Sequence, residues 1–358
     1  MEAQLPLIIA LFAVALVVGA LAPAVVQPVL RRLELLDVPN ARSSHTQVTL
    51  RGGGLAPLAT VLVCWIVWVA VDLDALRLWP LIGVPALLAL VGFVEDARTL
   101  GVRERMAAQC LITAVPALVA SIVLFGPGSA GDSGRDTYLG LFTAVAAGLL
   151  LMAAGVFCVN AANFMDGING ISSFQGLVAG GSAILVGLFA RVPDQMALGV
   201  ITAGAFAGFL PWNFPKAKMF LGDVGSYLLG ALMWVLGACS WLFTGSLLVA
   251  AAPIAVYTTD VCVTLFRRWR TGKKLTESHR EHAYQLLAAA RHSHALATAV
   301  ATTASAIVVV TAITTWLLGC EPLGWILGLL TVAAYEVVCL RLSRGSRTAS
   351  PDPGTSPG

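Results

Sequence analysis

Eleven apolar stretches of roughly twenty residues divide this chain of 358, and that length is what a helix needs to cross the hydrocarbon of a bilayer. They run at about 5 to 28, 53 to 72, 78 to 94, 106 to 125, 138 to 159, 171 to 190, 197 to 214, 225 to 243, 246 to 266, 295 to 318 and 323 to 341. With 58% hydrophobic and 11% charged residues and a mean hydropathy of +0.85, a water-facing chain would aggregate. The expectation is an all-α, polytopic integral membrane protein of about eleven transmembrane helices, with the lipid bilayer as its first partner. The first stretch is too long, and too soon followed by others, to be only a cleaved signal peptide. Seven scattered cysteines make neither a disulfide framework nor a zinc spacing. Residues 1–345 read as a single polytopic domain, and the Ser, Thr, Pro and Gly of 346–358 as a disordered cytoplasmic tail.

Charge gives the chain a direction. If the loop after the first stretch is cytoplasmic, that side holds 19 of the 22 Lys and Arg residues, leaving only Arg77, Arg135 and Arg191 opposite. The positive-inside rule then places the N-terminus outside and the C-terminus in the cytoplasm, with all five histidines on the cytoplasmic face. No nucleic-acid partner is expected.

The polar residues are equally one-sided, which suits an enzyme joining a water-soluble reactant to a lipid. Asn160-Ala-Ala-Asn163-Phe-Met-Asp166-Gly167-Ile-Asn169-Gly170 repeats a polar side chain every three residues, then loosens at its glycines. Such a string offers oxygens to a hard cation and amide N–H groups to a diphosphate, or else caps the next helix. Gly222-Asp223-Val-Gly-Ser226 sets a carboxylate at the start of a span, where magnesium and phosphate are both favoured, or where it is a plain N-cap. Asn213 lies just upstream with Lys216 and Lys218. Glu95 and Asp96 stand side by side, so each raises the other's pKa until a cation neutralises them, and Arg105 follows. Arg42, His45 and Arg51-Gly-Gly-Gly54 form a basic, flexible loop suited to phosphate. His279, Arg280 and His282 are further phosphate or leaving-group candidates. The run Arg267 to Lys274 serves orientation and attraction to anionic lipid.

Taken in this order, the segments resemble the polyprenyl-phosphate N-acetylhexosamine-1-phosphate transferases, over about residues 30 to 290. The resemblance implies transfer of a sugar 1-phosphate from a UDP-sugar donor to undecaprenyl phosphate, with release of UMP and dependence on Mg2+, for which Mn2+ can substitute. It also implies a bacterial cytoplasmic (inner) membrane as the location, and it implies roles. Glu95 and Asp96 match the family's acidic pair, followed by Arg105 and Gln109; Asn160, Asn163 and Asp166 match its Asn-x-x-Asn-x-x-Asp-Gly string. Asp223 becomes a metal ligand, with Asp166 beside it. Asp260, Arg267 and Arg268 match further positions, and His282 falls on the first histidine of His-x-His-His. Glu95, Asp96, Asp166 and His282 are then catalytic, while Arg42, His45, Arg105, Asn160, Asn163, Asn169, Asn213, His279 and Arg280 contact substrate.

The chain departs from the family pattern at three places. Glu95 stands where Asp is usual, Asn169 where many relatives carry a second Asp, and Tyr284 and Gln285 where later histidines fall. The last departure, with Arg-Ser-Ser-His and Arg-Gly-Gly-Gly, resembles the branch that initiates O-antigen synthesis and counts against the peptidoglycan branch. A lipid-linked sugar flippase fits the hydropathy but not the one-sided polar map. A CDP-alcohol phosphotransferase needs closely spaced aspartates after an Asp-Gly pair, and none follows Asp166 until Asp194. The sugar is unread, and a homodimer would leave no distinct signature.

Overall fold

A computed structural model describes residues 4–38, 48–126, 137–275, 277 and 279–344. Among these, ten helices are long and apolar enough to cross a membrane, and an eleventh, Leu55–Val71, is apolar but shorter. Each of the eleven expected spans is helical, ten as single helices and one interrupted by a 3-10 turn. In order they are α1 (Leu5–Arg32), α2 (Leu55–Val71), α3 (Trp79–Ala97), α4 (Val102–Phe125), α5 (Thr137–Met165), α6 (Ile171–Phe189), α7 (Pro193–Asn213), α8 (Gly222–Thr244), then a broken span, α12 (His294–Leu317) and α13 (Glu321–Arg344). The broken span consists of α9 (Leu247–Ala251), a 3-10 turn (Ala252–Ile254) and α10 (Ala255–Arg270). Pro253 lies in the turn, where its missing N–H and its ring interrupt an α-helical ladder.

Helices α7 and α8 are the most enclosed, and α1, α3, α5 and α6 pack around them. Side chains such as Phe206, Phe209 and Tyr227 fill this centre. The exposed faces of α1, α4 and α5 carry Val25, Leu111, Val115 and Leu150, as a lipid-facing surface requires.

Two short segments outside the spans position the polar residues. Strands β1 (Leu36–Asp37) and β2 (Thr49–Leu50) pair antiparallel, Leu36 opposite Leu50. The chain after β2 then runs along the segment entering α8: Phe220 N–H donates to the Leu50 carbonyl at 2.8 Å, and Gly53 and Gly54 donate to Phe220 and Leu221 at 2.9 and 2.7 Å. This docking carries Arg51 over the start of α8. Helix α11 (Ala283–Arg291), at the far end of the α10–α12 loop, buries Tyr284 and Leu287, and the Tyr284 hydroxyl donates to the Phe164 carbonyl at 2.9 Å.

Candidate active site

Asp96 ends α3 with a fully buried carboxylate aimed at the first turn of α8. Its Oδ1 accepts the backbone N–H of Asp223 and its Oδ2 that of Val224, both at 3.0 Å. A helix starts with unpaired N–H groups and partial positive charge, so a carboxylate from a neighbouring helix is an effective cap. Gly222 makes this approach possible: its φ of 75° is left-handed, and a Cβ there would stand 2.6 Å from Asp96 Oδ2. Gly92, one turn earlier on α3, lies flat against the Asp223 carbonyl.

Arg51 joins the two acids. Its Nε lies 2.6 Å from Asp96 Oδ1 and its Nη2 3.0 Å from Asp223 Oδ2. Burial pulls its pKa down, but Asp223, Asp96 and Asp37 outweigh burial and raise it. The other oxygen of Asp223 accepts from Asn163 Nδ2 at 2.7 Å, and the same nitrogen reaches Ser226 Oγ at 3.1 Å. Glu95 turns away from Asp96, as successive helical residues do. Its Oε2 accepts the Leu100 N–H at 3.0 Å and its Oε1 meets Arg105 Nη1 at 3.3 Å. Each acid of the pair therefore has its own arginine, and among the described residues they share no partner.

Behind this layer opens a cavity of about 820 Å³ between α4, α5 and the α10–α11 loop. Arg105, Asn160, Asn163, Asp166, His279 and His282 line its polar part, and Met106, Met152, Val156, Phe157 and Phe164 its apolar part. Asp166 Oδ1 accepts from Ser172 Oγ at 2.7 Å. Burial, together with the negative charge of Asp223 and Asp96, pushes the Asp166 carboxyl up to about 7.

His282 is buried, and its Nδ1 lies 3.0 Å from Asp260 Oδ1. Asp260 is fully buried and also accepts from Ala283 N, Tyr284 N, Thr264 Oγ1 and, at 2.7 Å, Tyr335 Oη on α13. A carboxylate only accepts, so the network assigns the imidazole proton to Nδ1 and leaves Nε2 as its other face. Asp260 thus caps α11 much as Asp96 caps α8. His279 stacks on His282 with ring centroids 5.1 Å apart. Burial, then the charges of His282 and Arg268, lower its pKa to about 4, so it is neutral at pH 7. Arg267 and Arg268 hold the loop by donating to the Glu281 and Lys274 carbonyls.

Sequence comparison supplies the relationship. Residues 78–240 match glycosyl transferase family 4. The decaprenyl-phosphate N-acetylglucosaminephosphotransferase of Mycobacterium leprae is 31% identical over 301 residues, covering 74% of this chain and 72% of its own. The chain belongs to glycosyl transferase family 4. Other members that match are the undecaprenyl-phosphate alpha-N-acetylglucosaminyl 1-phosphate transferase of Thermotoga maritima, 30% identical over 57% of this chain and 56% of its own, and the phospho-N-acetylmuramoyl-pentapeptide-transferase of Moorella thermoacetica, 33% identical over 52% and 60%. Among its relatives are thus polyprenyl-phosphate N-acetylhexosamine-1-phosphate transferases, and this family member is a multi-pass membrane protein of the sugar-phosphate transferase kind.

The site brings together most of the residues expected from the sequence. Asn163, Asp223, Asp96 and Arg51 form one layer; Arg105, Asn160, Asp166, His279 and His282 line the adjoining cavity. Arg280 is exposed and outside the cavity lining, and Arg42 and His45 lie outside the described residues. Asn169 and Asn213 are engaged in the scaffold. Asn169 donates to the Pro215 carbonyl at 3.0 Å, and Asn213, almost fully buried, accepts from Gly170 N at 2.8 Å and donates to the Met219 carbonyl at 3.1 Å. Two residues not singled out as site members hold its side chains in place, Arg51 bridging Asp96 and Asp223 and Asp260 lying behind His282. In the sequence Arg51 stands out only as part of a basic, glycine-rich loop suited to phosphate, and Asp260 only by its matching position in the family.

Proposed function

We propose that this protein transfers N-acetylglucosamine 1-phosphate from UDP-N-acetylglucosamine to a polyprenyl phosphate such as undecaprenyl phosphate, releasing UMP at the cytoplasmic face of a bacterial inner membrane. An oxygen of the lipid phosphate attacks the phosphorus that carries the sugar, the bond to the bridging oxygen breaks, and UMP leaves with that electron pair. The observation that carries this reading is the cavity in which Asn160, Asn163, Asp166 and His282 meet beside Asp223, with an apolar wall on one side for the lipid.

The donor set fits magnesium. Mg2+ takes one or two carboxylates and keeps water or phosphate oxygens for the rest, so it needs no three-ligand cage, and among the described residues no group of three His, Cys, Asp or Glu forms one. Asp166 and Asp223 would hold it, and the buried, mutually repelled carboxyl of Asp166 is the kind of group a divalent cation stabilises. When bound, magnesium, or manganese in its place, supplies positive charge to the diphosphate.

The chain's own residues do the remainder. Asp96 is committed to α8 and Arg51, so it positions Asp223. Arg105, steadied by Glu95, offers a guanidinium fork to phosphate. Asp260 orients His282 so that Nε2 can stabilise the diphosphate or protonate departing UMP. The product would be the first lipid-linked intermediate of a surface polysaccharide such as O-antigen. Membranes incubated with undecaprenyl or decaprenyl phosphate and a panel of UDP-sugars, including UDP-N-acetylmuramoyl-pentapeptide, test the proposal by mass spectrometry of the lipid product. Sugar-phosphate transfer from UDP-N-acetylglucosamine with stoichiometric UMP supports it; transfer only from the muramoyl donor, or none, overturns it.

A further inference from the structure

The amide of Asn160 has only one face left for a ligand. Its Nδ2 donates to the Val156 carbonyl at 2.8 Å and to Gln109 Oε1 at 2.6 Å. An amide nitrogen has two hydrogens, so both are used. The carbonyl of Val156 has no hydrogen to give, which fixes the nitrogen on that side and settles which way the amide faces. Gln109 must then present its oxygen, and its Nε2 is indeed buried with no partner among the described residues. What remains is Asn160 Oδ1, an acceptor with no partner among the described residues, on a half-buried side chain lining the cavity.

The surroundings restrict what can meet that acceptor. Met106, Val156 and Phe157 line the cavity beside it, and the Met106 sulfur is 3.9 Å from Asn160 Nδ2. A phosphate offers no hydrogen and is repelled by a carbonyl oxygen. A sugar hydroxyl would leave its own lone pairs against an apolar wall. An acetamido group offers one N–H for Oδ1 and a methyl for the wall, and the Arg105 guanidinium in the same cavity can serve its carbonyl. Resting on the transfer reaction proposed above, we infer that Asn160, held in orientation by Gln109, is the residue that recognises the acetamido substituent of the donor sugar.

UDP-N-acetylglucosamine and UDP-glucose differ only in that substituent, so the ratio of their kcat/KM values in purified enzyme reads the contact directly. The wild type is expected to favour the acetamido donor, and Asn160→Ala to lower the ratio about tenfold, near the effect of one lost hydrogen bond. Gln109→Met, which removes the acceptor holding the amide without touching the sugar, should lower the ratio in the same direction, while Gln109→Glu keeps that acceptor and the ratio. A general packing defect would slow both donors alike. If Asn160→Ala is not monodisperse, the Gln109 pair decides. A ratio unchanged in Asn160→Ala or Gln109→Met, with wild-type transfer intact, overturns the assignment alone; absence of transfer by the wild type overturns the reaction and the assignment with it.

Discussion

Oδ1 of Asp96 accepts the backbone N–H of Asp223 at 3.0 Å, so one residue of the expected acidic pair sets the position of the residue expected to bind metal. Removing the carboxylate would leave two helix N–H groups and the Nε of Arg51 without their acceptor, while Arg51 Nη2 keeps Asp223. Asp96→Ala should destabilise the protein by about 2 kcal/mol, discounted because Arg51 is partly exposed, and lower its melting temperature in detergent. Asp96→Asn, which keeps one acceptor oxygen, should cost less in stability. A variant as stable as wild type would contradict the capping role.

Asp223→Asn retains an oxygen toward Asn163 but loses the charge that pairs with Arg51. It is expected to abolish magnesium-dependent UMP release while the protein remains folded, as judged by size-exclusion profile. Full retained activity would remove Asp223 from the metal site.

Proton competition at Asp166 gives a pH signature. Its carboxyl, raised to about 7, is protonated below that pH in the metal-free protein, and metal binding requires the ionised form. Apparent magnesium affinity should therefore fall as pH drops below about 7 and level off above it. Titrating activity with magnesium from pH 5.5 to 8.5 measures this, and Asp166→Asn should flatten the profile.

Asp260→Asn replaces an acceptor-only carboxylate by an amide that can present N–H to His282. With the wrong ring nitrogen protonated, transfer should fall about a hundredfold or more, close to the effect of His282→Ala. Additive losses in the double variant would show that the two residues act separately.

Gly92→Ala places a methyl against the Asp223 carbonyl, where backbone cannot yield as a flexible side chain would. Overpacking of this kind costs about 1 to 3 kcal/mol, and it should also weaken magnesium dependence by shifting Asp223. A variant with wild-type stability and metal response would show that α3 and α8 can part without consequence.

The spans were legible because twenty apolar residues in a row admit few other structures, and even the shorter Leu55–Val71 was visible. The break at Pro253 was not, since hydropathy is blind to a turn inside an apolar run. At the site, spacing identified Asn160, Asn163 and Asp166 as one group, and they do converge. Spacing could not show that Glu95 and Asp96 face different helices, because adjacency in sequence reads as adjacency in space. Nor could it separate Asn169 and Asn213 from their neighbours: an amide that ties backbone together looks the same in sequence as one that binds a sugar. Arg51 acquires its role from a backbone pairing between segments about 170 residues apart, and no local pattern records such a pairing.

The bond from Tyr335 to Asp260 has a consequence in time. Helices enter the membrane in the order they are synthesised, and Tyr335 belongs to α13, the last helix among the described residues. Asp260 and His282 emerge from the ribosome well before the hydroxyl that completes their network, so a nascent chain carries the acid and the imidazole while their arrangement is still unfinished. On the roles proposed for Asp260 and His282, activity is tied to delivery of α13, and a chain truncated before residue 335 should insert yet fail to turn over its donor.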